Sequence, residues 1–195
     1  MGKDAPSVQK ALAAAKSATT LRIHFPEATV SEAGKTLTIS ATKLTPTLSV
    51  RLDALGPAGA AAGKKYVVVS LDPDAPFPSM SFLGPVLHGL HIDVAPNTAA
   101  ADADGFAPLE GPAAEWMVSY IPPGPPKPSS AHRYVFLLYE QPPGLDVAKV
   151  RGLLGLAEEV KLTARLWWSV EAAEKKLGLG EVLAANYWVT SPYDV

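Results

Sequence analysis

The 195-residue chain contains no cysteine. Disulfides, thiolate nucleophiles and sulfur-ligated metal sites are thereby excluded, which fits a reducing compartment. Charge of one sign is also lacking: 17 Lys and Arg stand against 19 Asp and Glu, for a net charge of -2. That balance leaves no electrostatic footprint for nucleic acid, and none is expected as a partner. No apolar run approaches 18 residues, so no transmembrane segment is expected. Residues 1–18 lack the charged-then-apolar order of a signal peptide, and Pro6 stands where a myristoylation pattern needs Ser or Thr. The expected location is the cytoplasm. The chain also has no Gly-x-Ser-x-Gly elbow, no His-Glu-x-x-His and no phosphate-cradling loop ending in Lys-Ser or Lys-Thr.

What is present is a globular composition. Hydrophobic residues make up 48% and charged residues 18%, with 19 prolines and 15 glycines for turns and loops. The length favours one domain over 1–195. Ser7 can cap a short helix to about Lys16 with Val8, Ala11, Leu12 and Ala15 on one face. This 1–18 arm is either docked on the body or mobile and in contact with a partner.

From Leu21 to Thr190 the pattern becomes mostly strand-like. Leu21–Phe25, Thr36–Ile39, Leu48–Leu52, Tyr66–Leu71, Leu87–Val94, Trp116–Ile121 and Arg133–Glu140 read as strands. Residues 56–65 and 95–112 read as loops, and Pro122 to Pro128 as a stiff crossing. Asp146 can cap a helix from Val147 to about Val160, and Ser169 one from Val170 to Leu177 ended by Gly178. A closing strand from Val182 to Thr190 follows. Strands first and helices last predict a mainly β, antiparallel sandwich with helices at one end.

The chemistry gathers in two segments, Leu71-Asp72-Pro73-Asp74-Ala75-Pro76 with the later His88, and Ala131-His132-Arg133-Tyr134. Each hangs polar groups on the end of an apolar strand, and together they predict one small polar pocket. Period-two alternation puts His132 and Tyr134 on one face and Arg133 on the other. It likewise groups His88, Leu90 and Ile92 against His91 and Asp93. The two histidines of the His88–Asp93 stretch are thus sent apart, which argues against a metal site; no cofactor is expected. Asp74 reads as a turn-fixing carboxylate and Asp72 as a pocket group.

Asp72-Pro73-Asp74-Ala75-Pro76, Leu87-His88, and Gly124-Pro125-Pro126 leading to His132-Arg133-Tyr134-Val135-Phe136 resemble the phosphatidylethanolamine-binding protein family. The closing stretch Ala184-Ala185-Asn186-Tyr187-Trp188 is similar to its final strand, and the N-terminal helix resembles the fungal carboxypeptidase Y inhibitor branch. The resemblance implies a two-sheet antiparallel β-sandwich and a pocket of Asp72, His88, His132 and Tyr134 with Gly124 and Pro125 on the rim. It implies binding without catalysis. The ligand would be a phosphate-containing molecule or a phosphatidylethanolamine headgroup, and the protein partner a serine carboxypeptidase or a kinase. Imidazole and phenol donors suit phosphate oxygens, and Asp72 would hold one histidine in its donating form. Phe77-Pro78 replaces the family's Ser-Arg. Gly89 replaces a bulky residue, which predicts a more open wall. Pro128-Ser129-Ser130 stands where glycines are usual.

Overall fold

The alternation that begins at Leu21 is realised as strands β1 (Leu21–Phe25), β2 (Ala28–Val30), β3 (Lys35–Thr36), β4 (Thr47–Arg51), β5 (Tyr66–Asp72), β6 (Val86–Pro96), β7 (Phe106–Glu110), β8 (His132–Glu140) and β9 (Ala184–Thr190). Helices α1 (Pro6–Ser17), α2 (Val147–Leu154) and α3 (Val170–Leu177) complete the mainly β architecture. The structure is a computed structural model that describes residues 4–57, 63–111 and 116–194.

The sequence pattern predicts two antiparallel sheets. The strands instead form one hydrogen-bonded series, β2-β1-β4-β7-β6-β5-β8-β9-β3, and β3 runs parallel to β9. The long strand β6 makes the connection. Val86 to Val94 pair with β5, while Ala95 and Pro96 pair with β7. Asp93 turns the strand between these partners with φ 61°, a left-handed conformation that short polar side chains tolerate. The two ends of the series, β2 and β3, are consecutive in the chain and are drawn toward each other. The Asn186 amide of β9 donates to the carbonyls of Leu21 and Val30 at 2.7 and 3.2 Å. The Thr190 hydroxyl donates to Leu37 O at 2.9 Å. The result is a nearly closed sheet.

Strands β5 and β8 are buried on both faces, so successive side chains enter different cores. Val67, Val69, Leu71, Val135, Leu137 and Tyr139 join the helix side with Val8, Leu12 and Val150. Tyr66, Val68, Tyr134, Phe136 and Leu138 pack inside the sheet with Ile23, Val50 and Trp188.

Helix α1 docks by the predicted face, burying Val8, Ala11, Leu12 and Ala15, so the arm is part of the helix-side core. Its cap differs from the sequence reading. Ala5 is the N-cap and Pro6 opens the helix, where a missing N–H costs nothing. Asp146 caps α2 through the Lys149 N–H at 2.8 Å, but the helix stops at Leu154 because Gly155 takes φ 68° and supplies an earlier left-handed end than the predicted Val160. Ser169 and Gly178 bound α3 as predicted.

Several strand assignments change. The predicted strand Thr36–Ile39 is reduced to Lys35–Thr36, and Ala28–Val30 adds a strand. The predicted loop 95–112 contains β7, whose Pro108 and alanine hid its pairing with β4. Trp116 to Ile121 is not a strand; Val118 alone bridges Leu90. Residues 58–62 of one predicted loop and residue 112 of the other, with 113–115 after it, lie outside the described residues.

Candidate functional site

Asp72 is the last residue of β5, and the Pro73–Pro76 turn follows it directly. One Asp72 carboxylate oxygen accepts the Asp74 N–H at 2.8 Å, which fixes that turn. The other lies 2.8 Å from Nδ1 of His132, at the start of β8. Nε2 of His132 lies 2.7 Å from the Ser129 hydroxyl, which also reaches Ser130 O at 2.9 Å. Both ring nitrogens of His132 are therefore engaged inside the protein. Tyr134 shares the face of His132, with the rings stacked at 6.4 Å, as period-two alternation predicts.

His88 reaches the same place by a different route. Ser70 pairs with Gly89 but Leu71 pairs with Leu87, so His88 is the extra residue of a bulge. The predicted grouping of His88 with Leu90 and Ile92 is overturned by it. Leu90 and Ile92 face the helices, whereas the His88 ring meets Tyr134 edge-on at 5.1 Å and 75°. Its Nδ1–H donates to Ile121 O at 2.7 Å, which leaves Nε2 as the lone-pair nitrogen of the neutral ring. Gly124 is exposed and Pro125 buried. The Gly124 backbone faces the Tyr134 hydroxyl, a buried group with no hydrogen-bond partner among the described residues. The structure thus brings Asp72, His88, His132 and Tyr134 together, with Gly124 beside Tyr134.

The roles of Ser129 and Arg165 escaped the sequence reading, which placed Arg133 on its face without giving it partners. Ser129 is visible in the sequence only as a departure from glycine, yet its N–H donates to Pro126 O at 2.7 Å and sets its hydroxyl on His132. Arg165 is buried and donates to four backbone carbonyls, Ser119 O at 2.8 Å, Val160 O at 3.1 Å, and Leu87 O and His88 O at 3.4 Å. It places a positive charge behind His88. Arg133, on the opposite face from His132, clamps Asp74 at 2.7 and 2.8 Å and Asp4 at 2.7 and 3.1 Å. Charge-assisted bonds of this kind are the strong ones. They tie the segment before α1 to the turn that carries Asp72.

The departure at Gly89 does not open a wall. A Cβ there would stand 2.7 and 2.8 Å from ring carbons of Trp116, so the indole already fills the space. His91 stacks on the same indole at 5.4 Å, and Asp93 pairs with Lys65 at 2.6 Å. Among the described residues no group of three or more His, Cys, Asp or Glu is placed to hold a metal ion.

Ser129, His132 and Asp72 have the order of contacts that serine hydrolases use. They are 3%, 1% and 4% exposed, so the Ser129 oxygen does not face a substrate. The chemistry that remains is hydrogen bonding, with Tyr134 O–H a buried donor and His88 Nε2 a lone pair or, when protonated, a second donor.

Burial pushes the His88 pKa below its ordinary value of 6.5, against the opposing pull of Asp72. His24 and His91 are lowered by burial too. A histidine lowered in the folded state is protonated first in the unfolded chain, so its contribution to stability is present above about pH 6.5 and is lost as pH falls below it. The urea midpoint should therefore hold from pH 8 to 7 and decline from 6.5 to 5, less steeply in His88→Gln. An unchanged midpoint across that interval would contradict the burial of neutral imidazoles.

A model of the family described as phosphatidylethanolamine-binding protein matches residues 17–188, so α1 lies almost wholly outside the match. The carboxypeptidase Y inhibitor of Saccharomyces cerevisiae is 33% identical over 90 residues, 43% of this chain and 41% of that one. An uncharacterized protein of the same yeast is 31% identical over 122 residues, 58% of this chain and 53% of that one. The chain thus matches about half the length of these curated relatives. The crystal structure of a carboxypeptidase Y inhibitor complexed with the cognate proteinase shares the fold, with a TM-score of 0.67 at 23% identity, covering 88% of this chain and 82% of that one. No helix among the described residues is long and apolar enough to cross a membrane. With 17–188 matched and the motif residues gathered at one site, the chain belongs to the phosphatidylethanolamine-binding protein family.

Proposed function

We propose that the chain is a non-catalytic binding protein of the inhibitor type, acting on a serine carboxypeptidase. It works as one domain over 1–195 in the cytoplasm, with the 1–18 arm and the 21–190 core as its parts. The observation that carries this reading is the Asp4–Arg133–Asp74 clamp. It fixes the start of the arm against the turn that follows Asp72, so the arm is tied to the segment that carries the pocket's carboxylate. The inhibitor among the relatives supports the choice of partner.

Because α1 is built into the core, removing residues 1–18 tests folding as much as inhibition. The informative variant removes residues 1–3 alone. Inhibition of a serine carboxypeptidase should fall at least tenfold in the 4–195 chain, with the thermal midpoint unchanged. Undiminished inhibition by that shorter chain would rule out residues 1–3 as the inhibitory element.

A second reading, a carrier of phosphate-containing ligands such as the phosphatidylethanolamine headgroup, draws on a different observation. The unpartnered Tyr134 hydroxyl belongs to the ring that meets His88, and the buried Arg165 charge lies at the His88 carbonyl. They would favour an anion there, with Asp72 and His132 supporting the site and Gly124 and Pro125 on its rim. A kinase as partner would follow only from this second reading. Tyr134→Phe is the variant that removes the free donor alone.

A further inference from the structure

On the other side of β5 from His88 and Tyr134 lies a cavity of about 200 Å³ between the start of α1, the start of α3 and the turn after β5. Its walls are apolar where they meet the core, at Val8, Leu71, Pro85 and Trp168, and acidic at Asp4 and Glu171. Trp167 stands at its edge and is 63% exposed, with Met80 and Phe82 at 60% and 58%. Trp167 is held against the Phe82–Leu83 backbone. The Trp167 N–H donates to Leu83 O at 3.1 Å and its indole N–H to Phe82 O at 2.8 Å.

Trp167 has φ 55°, where a large side chain is unfavourable and Gly or Asn is not. An exposed indole in a left-handed conformation contributes little burial and adds strain, so its presence is not explained by stability. Trp168 adds a second observation. Its indole N–H is buried with no acceptor among the described residues, and the residue lines this cavity, so the donor is open to a ligand carbonyl. The charge count around the cavity completes the picture. One guanidinium, Arg133, serves both Asp4 and Asp74, which leaves a net negative charge there, and Glu171 adds another.

We propose that this cavity and the Met80–Phe82–Trp167 surface bind a peptide segment with one apolar side chain flanked by basic residues. The apolar side chain enters the cavity, a backbone carbonyl accepts from the Trp168 indole, and the cations meet Glu171 and Asp4. Aromatic anchors in a desolvated pocket are the usual centres of such contacts, and Trp faces attract cations. The acidic rim argues against an anionic membrane as the occupant.

The test is a titration of the full, isotope-labelled chain with acetyl-Arg-Leu-Arg-amide and with acetyl-Glu-Leu-Glu-amide, following the indole N–H resonances. Saturable shifts at Trp167 and Trp168 with the basic peptide only are expected. Trp167→Asn should weaken binding at least tenfold while the thermal midpoint stays level or rises. Glu171→Gln, an exposed change, should weaken it severalfold and keeps the test valid should the first variant misfold. No saturable shift at millimolar peptide, equal binding of both peptides, or undiminished binding by either variant would overturn the proposal. So would binding to phosphatidylserine vesicles that Trp167→Asn abolishes, which would assign the surface to a membrane.

Discussion

Replacing Asp72 with alanine is expected to cost about 2–5 kcal/mol, from two buried partners each left unsatisfied at about 1–3 kcal/mol. Asp72 has both oxygens in use, on His132 Nδ1 and on the Asp74 N–H. Alanine leaves each of those partners buried without an acceptor, and an orphaned buried donor costs its full desolvation. Asp72→Asn separates the two roles. Its amide oxygen can still accept one N–H, so it should recover part of the loss, and the remainder measures the carboxylate's charge beside His132. Denaturant unfolding of the three proteins at pH 7.5 reads this directly. Near-equal stability of the alanine variant and the parent would mean that the Asp72–His132 contact carries no structural weight.

Trp188→Ala should be as damaging, at about 3–5 kcal/mol for a large aromatic truncated in a close-packed core. Trp188 is fully buried. Its ring meets Phe25 at 5.2 Å, Tyr134 at 5.4 Å and Phe136 at 5.6 Å, so it carries the face of Tyr134 that looks away from the site. Its indole N–H has no partner among the described residues. Trp188→Phe should therefore cost far less than alanine, because it removes an unsatisfied donor along with some volume. A phenylalanine variant as unstable as the alanine one would show that the indole's full size, rather than its aromatic face, holds β9 to β8.

The sequence made the strand carriers of the site legible because their polarity is periodic. His132, Tyr134 and Arg133 take the faces that a regular strand assigns to them. His88 does not, since a bulge adds one residue to β6, and a bulge leaves no trace in a period-two pattern when Gly89 and Leu90 continue the apolar run. The pairing of Asp72 with His132 spans sixty residues of chain. It was reached in the sequence through the family motifs rather than through any local signal. Ser129 and Arg165 were invisible for a related reason: one is a small polar residue in a proline loop, the other a lone cation in a short turn. Only tertiary structure brings them to the histidines. The caps follow the same rule. Ser169 and Gly178 act locally and were read correctly, whereas Ser7 lost its capping place to Ala5 and Pro6, and Gly155 ended α2 before its apolar pattern did.

The joining of the sheet's two ends bears on how partners can be recognised. Its outermost strands are short, two residues in β3 and three in β2, and Asn186 spans from β9 to the carbonyls at β1 and β2. Long open edges are where another chain's backbone adds a strand, and short, covered ones discourage that mode. Recognition by this protein accordingly falls to side chains presented from turns and helix starts, and its backbone ladder is shielded from self-templated aggregation.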